Sequence, residues 1–226
     1  MTAAASAIER HVAIARDAAP LVMARFACRQ PVRACLLVSD PGADRSLWMH
    51  GTPSAVDHLL NLGCEVFVAE LRGCGLSAAA GAPAARGAGD YTTLDVPALV
   101  AAARRLCGTP LPLHWIGHRR AVAVALSAAG LDGVVGLDAV PQPGMGSGGG
   151  EPAVLLVHGA SDARARKDAD RVAAMIGARA CARQQGASRR TGLIVDGDAA
   201  ASPWSAVVRW LDSVAAPVPA SGAIAA

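Results

Sequence analysis

Apolar residues along this chain fall into two alternating rhythms. Short β-rich runs are followed by longer Ala/Leu-rich stretches with helical spacing, which predicts a mainly parallel sheet with helices on both faces. The first two runs, His11 to Arg16 and Leu21 to Cys28, have no helix between them. Asp17-Ala18-Ala19-Pro20 separates them with turn chemistry, so they are expected to pair as a hairpin. Val32 to Val38 reads as a fully buried strand before a Pro-Gly loop. Ser54 to Leu62 reads as a helix closed by Gly63, and Glu65 to Ala69 as the next strand.

The second half continues the alternation. Asp95 to Cys107 is strongly helical, with Asp95 as its expected N-cap and Arg104 and Arg105 near its C-terminal end. Leu113 to Ile116 is a strand running into Gly117-His118-Arg119-Arg120-Ala121 and a helix to Ala129. Val134 to Leu137 and Ala153 to Val157 are strands joined by a Gly/Pro-rich linker, PQPGMGSGGG over 141–150, too short for a helical lid. Asp168 to Ala182 is expected as a helix, Leu193 to Val195 as the last strand, and Pro203 to Val214 as a closing helix. The total is about eight strands in one α/β domain. It spans 1–215 and is followed by an Ala/Pro tail, 216–226, expected to be disordered.

Composition narrows the class. The chain has 226 residues, 53% hydrophobic and 17% charged, long enough to bury its own core. Much of the apolar content is Ala, with two Phe, one Tyr and four Trp, so the core rests on small and branched aliphatics. A net charge of +3 with scattered arginines gives no reason to expect nucleic acid. The densest basic group (Arg179, Arg183, Arg189, Arg190) reads as a solvated loop. No apolar run has membrane-spanning length, and residues 1–10 show no secretory n- and h-region. The six cysteines form no CxxC pair, and no His/Asp/Glu spacing fits a metal. The expectations are a cytoplasmic setting, no metal, no cofactor and no membrane partner.

Three segments carry a family resemblance. GCEVFVAELRGCGLS (63–77) looks like a strand followed by an RGxGxS loop, LHWIGH (113–118) leads into a strand–GxxxA–helix junction, and PAVLLVHGASD (152–162) looks like a strand presenting an acid. In this order they resemble the α/β-hydrolase superfamily, esterase- and lipase-like members above all. The resemblance covers His11 to Val214 and implies a Ser–His–Asp triad acting on ester, thioester or related acyl substrates.

The triad positions depart from that pattern. A nucleophile elbow lifts a serine between small residues. Here Gly117 and Ala121 keep the small positions, but the centre is Arg119, a cation with no lone pair to offer. The base position, in the stretch Val195-Asp196-Gly197-Asp198, is occupied by Asp198, and no histidine follows His158. Asp162 remains as the acid, without an imidazole to orient. The oxyanion loop reads Ser39-Asp40-Pro41-Gly42, in which Pro41 lacks an N–H and Asp40, pointed inward, would repel an oxyanion. By the same resemblance Arg120, after the elbow, counts with Ser39 and Asp40 as an oxyanion-loop position.

Two outcomes follow for Arg119: an ion cluster with Asp162 and Asp198, or a guanidinium reaching into solvent. Anion binding by Arg119 and Arg120 is a third reading, with the aspartates as competitors. His118 and His114 read as packing residues, His114 as a satisfied one. His158 stands as a reserve proton carrier, and Ser161 as a turn residue. Cys74 and Arg72 read as structural loop residues, and Trp204 and Trp210 as core. The implied function is that of a hydrolase-like pseudoenzyme which binds a small molecule or a protein over an open, unlidded sheet end. The alternative is an acyl hydrolase with a non-standard site or with residues supplied by a partner chain; Arg119 opposes it, because a guanidinium beside Asp162 or Asp198 lowers the basicity either would need.

Overall fold

The structure is a computed structural model that describes residues 8–126, 128–142, 152–159, 162–176, 181–186 and 203–215. Its eight strands form one sheet in the order β1-β2-β4-β3-β5-β6-β7-β8. β1 (Ile8–Ile14) and β2 (Pro20–Phe26) make the expected hairpin, with Ala18 at φ 66° in its turn. β2 runs antiparallel to β4 (Cys64–Ala69). From there the sheet is parallel through β3 (Arg33–Val38), β5 (Leu113–His118), β6 (Gly133–Leu137), β7 (Ala153–Gly159) and β8 (Cys181–Gly186).

Alternation along the strands divides the core in two. Ala34, Leu36 and Val38 of β3 face one apolar layer, and Cys35 and Leu37 face the other. The first layer is completed by α4 (Val96–Cys107), α5 (Arg120–Ala125) and α6 (Ala163–Ile176). The second is completed by α1 (Ala55–Asn61), by Trp48, and by Trp204, Val207 and Leu211 of α7 (Pro203–Ala215). Ser54 starts α1 with a reciprocal capping box: its Oγ accepts the Asp57 amide at 3.2 Å while Asp57 accepts the Ser54 amide at 2.9 Å.

Three expectations change. Asp95 does not cap α4. The short helix α3 (Ala88–Asp90) passes through a wide turn, Tyr91–Asp95, straight into α4, and the fully buried Asp95 carboxylate takes the Arg72 amide (2.9 Å) and Nε (2.7 Å). The helix expected from Asp168 to Ala182 instead begins at Ala163, where Asp162 offers a cap, and ends at Ile176. Residues 181–186 form β8 against β7. Their sequence, CARQQG, has no β-branched residue, so the strand arises from the free edge of β7 rather than from propensity. His114 is buried, as expected of a core residue, but it is not satisfied: neither ring nitrogen has a hydrogen-bond partner among the described residues. The expected strand Leu193 to Val195 and the tail lie outside the described residues. No helix of the described residues is long and apolar enough to cross a membrane.

Candidate functional site

The site is built on the turn between β5 and α5. Arg119 stands there at φ 53°, ψ −114°, a conformation that costs a non-glycine residue about 1–3 kcal/mol. The surroundings impose the turn. A Cβ on Gly117 would lie 2.8 Å from Trp115 Nε1 and 2.9 Å from both the Ala121 carbonyl carbon and the Val122 nitrogen. Trp115 Nε1 donates to the Ala121 carbonyl at 2.9 Å, tying the strand to the first turn of the helix. The Arg119 amide donates to Leu137 of β6 at 2.9 Å. This is the sharp strand–turn–helix geometry that presents a nucleophile, here presenting a guanidinium.

Beside it, the loop after β3 closes onto the elbow. Asp40 accepts the Arg120 backbone amide at 2.9 Å, Arg120 Nε at 3.0 Å and Arg120 Nη2 at 3.0 Å. Arg120 Nη2 also donates to the Pro41 carbonyl. These bonds hold the Arg120 guanidinium above its ordinary pKa, the bond to Asp40 first. Ser39 is buried and donates to the Asp44 carbonyl at 3.0 Å, so its hydroxyl braces the loop. The backbone amide of Arg120, at the start of α5, thus already holds a carboxylate.

Across the sheet end, the Asp138 amide donates to Val157 of β7 at 2.9 Å, which places Asp138 and His158 in the rows next to the elbow. Asp162 acts locally on α6: its Oδ1 accepts the amides of Arg164 (3.0 Å) and Ala165 (2.9 Å). Arg119 is half-buried and forms no ion pair among the described residues. Beside the elbow, Arg120 pairs with Asp40. Asp198 and Ser161 lie outside the described residues, as do residues 143–150 of the expected linker.

No family model matches the chain, and no curated protein matches it by sequence. Solved structures do match. A lipase in its open form gives a TM-score of 0.74 at 13% identity, covering 93% of this chain and 100% of that one. A soluble variant of monoglyceride lipase from Saccharomyces cerevisiae, in complex with a substrate analogue, gives 0.70 at 12% identity over 94% and 97%. A thermostable carboxyl esterase from Bacillus coagulans gives 0.70 at 11% identity over 92% and 99%. The chain has the α/β-hydrolase fold.

Within the α/β-hydrolase frame, the neighbouring groups sort by environment. His118 precedes the elbow with Nδ1 buried and unbonded among the described residues. Burial pushes its imidazole down to about 4, so it is neutral at pH 7. Cys74 is a buried loop residue that accepts the Gly42 amide at 3.5 Å and donates to the Arg72 carbonyl at 3.6 Å. Arg72 is structural, fixed by Asp95 and by a bidentate pair with Asp17 at 2.7 and 3.1 Å. Trp204 is buried and stacks on His58 at 6.2 Å. The sequence does not single out Asp138, which is buried and holds φ 48° just after β6. Among the described residues no group of three or more His, Cys, Asp and Glu side chains could hold a metal.

Proposed function

We propose that this α/β-hydrolase-fold chain binds rather than cleaves: a pseudoenzyme whose elbow presents Arg119 to a small molecule or protein partner at the carboxyl end of the sheet. One observation carries the reading. The Arg120 amide that would steady an acyl-transfer oxyanion is held by Asp40, next to an elbow whose reacting position is a guanidinium. A carboxylate in that place opposes the negative charge that develops during ester cleavage. The chemistry offered instead is a half-buried cation without a carboxylate among the described residues, suited to an anionic group on the partner. The lipases and esterases of similar fold make an acyl or ester compound a reasonable first class to screen as ligand.

The test is turnover of short- and medium-chain p-nitrophenyl esters by the natural protein and by Arg119→Ser/Asp198→His, with and without Asp40→Ala. The natural protein is expected to be inert. The double variant is expected to gain slight activity, and Asp40→Ala to raise it by about 10²-fold, the worth of one oxyanion donor. Turnover by the natural protein well above background, abolished by Asp162→Ala, would overturn the proposal.

A further inference from the structure

A different part of the molecule carries an inference independent of the site. Among the described residues, β1 is an edge of the sheet, paired on one side only, with β2. Edge strands present unpaired N–H and C=O groups, and proteins ordinarily block them with proline, bulges or charges. β1 reads IERHVAI, without proline, glycine or bulge, its register to β2 is unbroken from Ile8↔Phe26 to Ile14↔Pro20, and its exposed charges, Glu9 and Arg10, are of opposite sign. One face is covered: Ala13 is buried in the core layer that contains α4. The other face is not. Ile8, Val12 and Ile14 are 66%, 47% and 62% exposed, making three of the six large exposed apolar residues of the described chain. Their β2 neighbours Phe26 and Val22 are buried on the same face, so the apolar surface continues from the core to the open edge.

We propose that β1 is a self-association edge, on which a second copy of this chain pairs its own β1 antiparallel to extend the sheet. The strand is self-complementary in a way that fixes the register. A two-fold axis normal to the sheet keeps each face on its own side, so a residue and the one opposite it share parity. Full overlap of Ile8–Ile14 then sets Ile8 opposite the partner's Ile14, Arg10 opposite the partner's Val12 and His11 opposite the partner's His11. In this register the exposed apolar side chains of both copies form one patch. Glu9, which accepts from His11 at 3.3 Å and from Arg25 Nη1 at 3.1 Å, comes diagonal to the partner's His11, so the central histidines are flanked by carboxylates. A shift of one pair toward the N-terminus would set Arg10 against the partner's Arg10; a shift the other way shortens the overlap.

The contact is one strand wide, so a dissociable dimer is expected. Sedimentation velocity of the full chain from about 1 to about 100 µM should show a monomer–dimer equilibrium. Val12→Lys and Ile14→Lys should each weaken it by about tenfold or more with an unchanged thermal midpoint, while Val32→Lys, at an exposed apolar residue outside β1, should leave it intact. For the register, His11→Cys should yield a disulfide-linked dimer under oxidation and Glu9→Cys should not, since Glu9 faces the partner's Ala13. A monomer throughout the range, association indifferent to both lysine variants, or linkage through Glu9→Cys rather than His11→Cys would each overturn the proposal.

Discussion

Arg119 holds a backbone conformation that its side chain does nothing to favour, and the residues that force it (Trp115, Ala121, Val122) remain when it is replaced. Glycine adopts φ 53°, ψ −114° without strain, so Arg119→Gly should stabilise the protein by about 1 kcal/mol after the entropy cost of glycine. That corresponds to a rise of about 2–4 °C in Tm for a chain of this size. Urea unfolding measures it, and a loss of stability would mean that guanidinium contacts outweigh the strain. His114 is the opposite case, strained by solvation rather than geometry. It is buried beside Trp210 with both nitrogens unbonded among the described residues, and burial pushes its pKa from 6.5 to about 4. The unfolded chain therefore binds a proton between pH 6.5 and 4 that the folded chain refuses. This contribution is intact above pH 6.5 and is lost as pH falls toward 4, by roughly 3 kcal/mol. His114→Leu should flatten that part of the stability–pH curve, and an unchanged slope would mean that His114 is solvated or paired when folded.

At the scale of elements, what was legible in the sequence depended on whether the signal was local. The elbow could be placed because Gly117 and Ala121 are required by contacts within five residues of the turn, and those contacts do not depend on the residue at the centre. The hairpin was legible from its turn, and β3 and β4 from continuous apolar runs buried on both faces. β8 was not, because a polar edge strand takes its hydrogen bonds from β7 and has no periodicity of its own. The loop after β3 was half legible. An aspartate beside a proline warned that the loop had changed, but nothing within 39–42 says that Asp40 reaches the amide of Arg120, eighty positions away. Asp95 misled for the same reason. Its position before an apolar helix matches a cap, while its partner, Arg72, lies twenty-three residues upstream. The site thus combines a locally encoded turn with a plug that only the assembled sheet brings into place.

At the scale of the molecule, that long-range pair ties three parts of the chain together. Arg72 follows β4 near the middle of the sheet, Asp95 ends the wide turn before α4, and Asp17 belongs to the hairpin turn. The Arg72 side chain is 2% exposed and Asp95 fully buried, while Asp17 is 35% exposed. The difference in burial decides which loss matters. Removing the guanidinium leaves the Asp95 charge stranded in the interior, a situation that costs about 3–5 kcal/mol when one partner of a buried pair is deleted. Removing the Asp17 charge leaves Arg72 still bound to Asp95, with water able to reach the vacated side. Arg72→Ala is therefore expected to lower the unfolding free energy by several times more than Asp17→Asn. Arg72→Met/Asp95→Leu should recover most of the loss, because apolar residues fill the volume without leaving a charge. Chemical unfolding of the four proteins separates the possibilities. Equal losses for Arg72→Ala and Asp17→Asn would place the anchoring at the hairpin turn. A double variant no better than Arg72→Ala would show that the loss comes from packing around the long arginine stem rather than from an unpaired carboxylate.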